Sequence, residues 1–246
     1  MKKIAFLGSK KIGLECLRSL YKRQNELGIK IDCVLTNSRG ESILEFCKQN
    51  TIIVVNSLSE LLKRDDFDIG ISVQYHKILK IEHIAKARDL FINLHMAPLP
   101  EYRGCNQFSF AIINEDLIFG TTIHRLEEGI DSGDILFEKR FPIPKNCWVD
   151  ELYDLTYKHS VELFNQSLPK IISQSYKFKP QKSFQNKRRS RIHYRSEIDN
   201  IKNIDLSWDK EKIYRHIRAT FMPGFEPPFT ILHDQKIFLT KDCKKK

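Results

Sequence analysis

No C-x-x-C pair occurs among the six cysteines of this 246-residue chain, and no apolar run approaches the roughly 20 residues needed to cross a bilayer. Cys16, Cys33, Cys47, Cys105, Cys147 and Cys243 are scattered, so neither a zinc cluster nor a disulfide scaffold is indicated, and reduced thiols in the cytoplasm are expected. The apolar stretch Ile4 to Leu7 is far shorter than the core of a signal peptide and is closed by Gly8, so neither export nor a membrane anchor is expected. There is no internal repeat. The turn Gly8-Ser9-Lys10-Lys11-Ile12-Gly13 fits neither G-x-G-x-x-G nor G-x-x-x-x-G-K-[ST], which removes the two common phosphate-loop signatures. It reads as a plain strand-to-helix turn, with Ser9 and Lys10 as candidate contacts to a substrate diphosphate, because helix N-termini attract anions.

What is present is an ordinary globular composition, 41% hydrophobic, enough for one sizeable core and a small appendage. The net charge of +10 fits a nucleic-acid partner or an anionic small substrate equally well. Its densest cluster is Lys187, Arg188, Arg189, Arg191 and Arg195, followed by the tail Lys244 to Lys246; these read mainly as solvated surface, with phosphate contact as the alternative.

Apolar, β-branched runs alternate with amphipathic helical patterns through the first part of the chain, which indicates an α/β fold: a Rossmann-like, mostly parallel sheet with helices on both faces. Strands are expected at Lys3 to Leu7, Ile31 to Thr36, Thr51 to Val55, Ile69 to Val73, Leu90 to Leu94, Phe119 to Leu126 and Ile135 to Phe141. Helices are expected from about Ile12 to Tyr21 and from about Val149 to Ser173. From Tyr176 the composition turns polar and basic, which places a boundary between a main domain (1–178) and a small C-terminal subdomain (179–246). That subdomain is expected to hold a helix near Asp209 to Thr220 and a β-hairpin, Phe229 to Leu232 with Ile237 to Thr240, suited to dimerisation or substrate contact.

The segment from Phe91 to Gly104 begins as a buried strand and ends as the proline-broken loop Pro98-Leu99-Pro100-Glu101-Tyr102-Arg103-Gly104. Side chains alternate along a strand, so Asn93 and His95 project together, at the carboxyl edge where open α/β sheets bind ligands. Farther on, Gly120-Thr121-Thr122-Ile123-His124 leads into an acidic, glycine-punctuated loop, Glu127 to Ile135, that contains Asp131.

In their order and spacing these elements resemble the formyltransferase family that includes glycinamide ribonucleotide transformylase, methionyl-tRNA formyltransferase and the nucleotide-sugar N-formyltransferases. The resemblance covers roughly residues 1 to 175. It implies transfer of a formyl group from 10-formyltetrahydrofolate to an amine, with no metal, and it places the catalytic Asn, His and Asp at Asn93, His95 and Asp131. The chemistry suits those residue types. Attack of an amine on a formyl carbon builds an oxyanion that needs prepositioned donors, and an imidazole can exchange protons near neutrality; Asp131 would tune that exchange. The resemblance also implies that Tyr75, His76, Lys77, Ile78 and Leu79 hold the pterin ring, with Glu127, Glu128, Gly129 and Ile130 as the opposite wall.

Three acceptor classes follow from the resemblance: an amino sugar on a nucleotide, methionyl-tRNA, or a purine-pathway ribonucleotide. The second strand runs directly into Thr36-Asn37-Ser38-Arg39-Gly40-Glu41 and a helix, without the basic insertion of the tRNA enzymes. The C-terminal stretch is shorter than their β-barrel. The pattern from Ile204-Asp205-Leu206-Ser207-Trp208 to Phe229 instead resembles the nucleotide-sugar enzymes, notably those acting on dTDP-4-amino-4,6-dideoxyglucose in O-antigen and lipopolysaccharide biosynthesis. The expected partner is therefore a nucleotide sugar and not a nucleic acid or a membrane, and the expected assembly is a homodimer. Besides Ser9 and Lys10, Tyr102, Arg103, Gly104, Arg218 and Phe221 are candidate substrate contacts, with Phe221 or Phe225 placed to stack on a base. The alternatives are a methionyl-tRNA formyltransferase and a non-catalytic folate-binding protein.

Overall fold

A computed structural model describes residues 1–184 and 187–241. Strand β1 (Lys2–Gly8) turns into α1 (Lys10–Lys22), which buries Ile12, Cys16, Leu17 and Leu20 along one face. A short α2 (Gln24–Leu27) stops at Gly28, whose left-handed φ of 63° swings the chain into β2 (Ile29–Leu35). There follow α3 (Glu41–Gln49), β3 (Val54–Val55), α4 (Leu58–Lys63), β4 (Phe67–Val73), α5 (Ile81–Ile84) and β5 (Ala87–His95). After the proline loop come β6 (Tyr102–Gly104), α6 (Gln107–Ile113), β7 (Ile118–Arg125), β8 (Ile135–Pro142) and the long α7 (Val149–Ile172). The C-terminal stretch supplies β9 (Arg191–His193), α8 (Glu197–Lys202), α9 (Lys210–Thr220) and the hairpin β10 (Phe229–Leu232) with β11 (Gln235–Phe238).

The main sheet has seven strands in the order β3-β2-β1-β4-β5-β7-β8. It is parallel from β3 through β5, and β7 and β8 add on in antiparallel fashion. The mostly parallel α/β architecture follows from strands that are apolar on both faces. In β1, Ile4 and Phe6 pack with Ile12, Leu17 and Leu20 of α1 and with Phe164 and Leu168 of α7, whereas Ala5 and Leu7 pack on the other side with Leu61, Phe67 and Phe91. Each such fully buried side chain contributes about 1.5–3 kcal/mol, so helices on both faces are the stable arrangement.

Two expected strands are shifted. Thr51 adopts a left-handed φ of 53° just after α3, so only Val54 and Val55 reach the ladder, opposite Val34 and Leu35. In the hairpin, His233 and Asp234 take φ values of 46° and 61°, a two-residue turn that sets Leu232 opposite Gln235. The returning strand is therefore Gln235–Phe238 and not Ile237 to Thr240.

One pairing has no counterpart in the expected strands. β6 pairs in parallel with β9, Tyr102 to Gly104 lying beside Arg191 to His193. Gly104 has φ 86°, and a Cβ at that position would stand 2.3 Å from the His193 carbonyl oxygen, so only glycine allows the close approach. The C-terminal segment is thereby stitched to the loop that follows β5.

Candidate active site

β5 lies between β4 and β7, and its C-terminal end delivers Asn93 and His95 to the same face. The β5–β7 register sets Asn93 opposite His124 and His95 opposite Thr122. The threonines of the Gly120-to-His124 run hold the strand end in place. Thr121 donates to the His95 carbonyl (3.0 Å), Thr122 donates to the Ala97 carbonyl (2.8 Å), and Ser160 of α7 donates to the Thr121 hydroxyl (2.7 Å). Backbone groups at the sheet edge are thus satisfied from within, and the edge side chains are left for the cleft.

His95 is 5% exposed, and its Nε2 lies 2.7 Å from the Tyr102 carbonyl oxygen. A carbonyl only accepts, so Nε2 carries the hydrogen and Nδ1 is the nitrogen left for proton exchange. That Nδ1 is 3.6 Å from Asp131 Oδ2, and Asp131 Oδ1 is 3.5 Å from His124 Nε2. His124 is fixed in the same way, its Nδ1 donating to the Arg125 carbonyl (2.9 Å) while its Nε2 stands 3.2 Å from the Asn93 amide nitrogen. At most one Asn93 N–H can point at that ring, which leaves the other for the cleft.

Asp131 therefore sits between two imidazoles and also accepts the Gly104 backbone N–H at 2.8 Å. Burial opposes its ionisation, but the charge of His95, the hydrogen bond and charge of His124 and the Gly104 N–H outweigh that cost and hold the carboxyl well below the usual carboxylate range. An amide, an imidazole with one free nitrogen and a carboxylate ionised at neutral pH share one cleft edge.

The cleft has a volume of about 380 Å³. It is lined by Tyr75, His76, Lys77, Ile78 and Leu79 and by Leu126, Glu127, Gly129 and Ile130. Glu128 is outside this lining; it is exposed, and its carbonyl accepts from Ser132. Ser9 and Lys10 line the cleft, as do Gly104, Arg39 and Arg195. Tyr102 and Arg103 support it from behind. The buried Tyr102 hydroxyl donates to Asp116, and Arg103 Nε donates to the Ile130 carbonyl at 2.8 Å. Arg218 and Phe221 are elsewhere: Arg218 donates to the Cys147 carbonyl (2.8 Å) and Phe221 packs edge-on against Trp148.

The basic cluster has several fates. Arg188 pairs with Glu138 (2.9 Å) and Arg189 with Asp116 (2.7 Å), Arg191 lies over the Phe110 ring, and Arg195 faces the cleft. Lys244 to Lys246 lie outside the described residues. Among the described residues no group of three or more His, Cys, Asp or Glu side chains is placed to hold a metal, and no helix is long and apolar enough to cross a membrane.

A tautomer-fixed histidine beside an ionised aspartate, at the carboxyl edge of a parallel sheet, is a setting for general acid–base chemistry. Residues 48–168 match the formyl transferase family. Over those residues the chain carries a formyl transferase domain, and it is by class a folate-dependent N-formyltransferase. It is 27% identical to WlaRD, a sugar 3N-formyl transferase solved in the presence of dTDP and 5-N-formyl-THF; the likeness has a TM-score of 0.79 and covers 96% of this chain and 85% of that one. Over 252 aligned residues it is 27% identical to a methionyl-tRNA formyltransferase of Clostridium tetani, covering 92% of this chain and 80% of the relative. It is 29% identical to the GDP-perosamine N-formyltransferase of Brucella melitensis, covering 70% of this chain and 64% of that relative's length. Several matched relatives are thus spanned over less than two thirds of their length.

His124 belongs to the site, and the sequence assigns it no role beyond its place in the Gly120-to-His124 run. Only the antiparallel register, which carries no local signal, brings it opposite Asn93.

Proposed function

We propose that the protein transfers the formyl group of 10-formyltetrahydrofolate to the amino group of a nucleotide-linked amino sugar, with dTDP-4-amino-4,6-dideoxyglucose as the particular acceptor. The observation that carries the acceptor class is the cationic end of the cleft. Lys10, Arg39, Lys77 and Arg195 line it, and among the described residues no carboxylate lies within ion-pairing distance of any of them. Burial, and then the charges of Arg39 and Arg195, push the Lys10 ammonium below its ordinary value. Unpaired, mutually repelling cations favour an anion such as a diphosphate. The likeness to a sugar formyl transferase over nearly the whole chain supports the same reading.

The donor suits the walls. Leu79, Leu94 and Leu126 give apolar faces for a flat heterocycle, and the loop backbone between them supplies donors and acceptors. Bound there, 10-formyltetrahydrofolate supplies the electrophilic formyl carbonyl. The free N–H of Asn93 and a protonated His95 Nδ1 donate to the oxygen on which charge develops. Unprotonated at the outset, the same Nδ1 would take a proton from the attacking amine, and the imidazolium so formed, stabilised by Asp131, would give that proton to the folate nitrogen as its bond to the formyl carbon breaks, releasing tetrahydrofolate and the formylated amine.

The test is a panel of amines with the folate donor, read by mass spectrometry. A gain of one formyl group on the dTDP-amino sugar is expected. Formylation of methionyl-tRNA alone, the acceptor of the Clostridium relative, would overturn the choice of acceptor. The assembly proposed with this function is a homodimer. Ile231, Leu232, Ile237 and Phe238 of the hairpin are 44–54% exposed, Ile231 and Phe238 on one face and Leu232 and Ile237 on the other, and a second copy would cover this apolar surface. Light scattering is expected to give twice the chain mass at micromolar concentration, and a single-chain mass would refute it.

A further inference from the structure

Asp131 has a left-handed backbone, φ 45°, an uncommon conformation for a residue other than glycine that the surroundings must hold in place. What holds it comes largely from the far end of the chain. The Gln181 side-chain amide nitrogen donates to the Asp131 carbonyl and to the Gly133 carbonyl, both at 2.8 Å. Both partners only accept, so both amide N–H groups are used and the orientation of the amide is determined.

Gln181 is itself pinned on either side. Just before it, Lys179 exchanges two backbone hydrogen bonds with Ile135, at 2.8 and 3.0 Å. Beyond it, Arg188 donates to the Leu99 carbonyl (3.0 Å) and pairs with Glu138. From the opposite side, Arg103 holds the carbonyl of Ile130, the residue before Asp131.

We infer that Gln181 is a positioning residue for the reaction: its amide, bridging the two carbonyls of the catalytic loop, keeps the Asp131 carboxylate between His95 and His124. Gln181 touches no reacting atom. Its effect runs through the loop, and a displacement of about 1 Å at a catalytic group can cost on the order of a hundredfold in rate. The inference rests on the proposed formyl transfer for its kinetic consequence, but not for its structural one.

The test uses the full chain with Gln181→Ala, the isosteric Gln181→Glu, which keeps the shape and removes both donors, and Gln181→Lys, which restores donors on a flexible stem. Formyl transfer by Gln181→Ala and Gln181→Glu is expected to fall about ten- to a hundredfold in kcat, with KM for donor and acceptor changed less than about twofold, and Gln181→Lys is expected to recover part of the loss. Amide hydrogen exchange over residues 127–134 is expected to speed up in the alanine and glutamate variants. Wild-type kcat in Gln181→Glu, a loss confined to KM, or unchanged exchange of the loop would each overturn the positioning role. If the unmodified protein formylates no acceptor, the proposed function fails, and the exchange measurement alone still decides whether Gln181 orders the loop.

Discussion

Replacing His95 by alanine is expected to lower kcat for formyl transfer about a thousandfold, which corresponds to about 4 kcal/mol of lost transition-state stabilisation. Two functions disappear together: the Nδ1 that exchanges the proton and the N–H that faces the developing oxyanion. The buried ring also donates through Nε2 to the Tyr102 carbonyl, so alanine leaves that carbonyl unpaired and lowers stability as well. His95→Gln separates the two effects. Its terminal amide can reach the Tyr102 carbonyl, which preserves the structural bond, but it offers no titrating nitrogen toward Asp131. Both variants are expected to lose activity to a similar extent, with thermal stability closer to that of the unmodified protein in His95→Gln. A His95→Gln protein that retains activity within about tenfold of the original would refute proton exchange at His95, since general acid–base catalysis supplies at least that much.

The parts of the site that could be read from the sequence are those fixed by local periodicity. Asn93 and His95 lie two apart on a strand, so a shared face follows from geometry alone, and the apolar runs of β1, β2, β4 and β5 declare a sheet covered on both sides. Asp131 was placed by family resemblance, because nothing local says that a loop after β7 returns to the end of β5. Contacts set by distant pairing were invisible. The three-residue strands β6 and β9 join Tyr102–Gly104 to Arg191–His193 across more than eighty residues, too short and too remote for any pattern to reveal. The same holds for Gln181, which sits in a stretch whose composition suggests a basic linker. Arg218 and Phe221 illustrate the opposite error: their types suit a nucleotide, but α9 packs against α6, and this turns them toward Cys147 and Trp148.

The cleft also divides its charges, and the division bears on mechanism. Cations without carboxylate partners gather at the Lys10 end, whereas the reacting end holds the anion Asp131 between two histidines. An acceptor bound by its phosphates at the first end places its uncharged part toward the second, where the amine must lose a proton. Burial, and then the charges of Arg39 and Arg195, depress Lys10, and burial, and then Lys77, Arg39 and Arg195, depress His76.

Asp131→Asn provides the sharpest test of that arrangement, with an expected fall in kcat of about a hundredfold or more. The amide keeps the size of the carboxylate and can still accept the Gly104 N–H, so the loop retains its contact from β6. What it loses is the charge that stabilises imidazolium at His95. Stability should respond to pH with a definite sign. The Asp131 carboxyl is depressed in the folded protein relative to its value of about 3.9 in an unfolded chain, so its stabilising contribution is complete above that value and is lost as pH falls through the folded one. The unmodified protein is therefore expected to melt at a higher temperature than Asp131→Asn at pH 7, and the gap should narrow as the pH is taken below about 4. Calorimetry at a series of pH values reads the gap directly. A constant difference across that range would mean that Asp131 is not held ionised by His95 and His124, and a variant with undiminished kcat would remove the carboxylate from the mechanism.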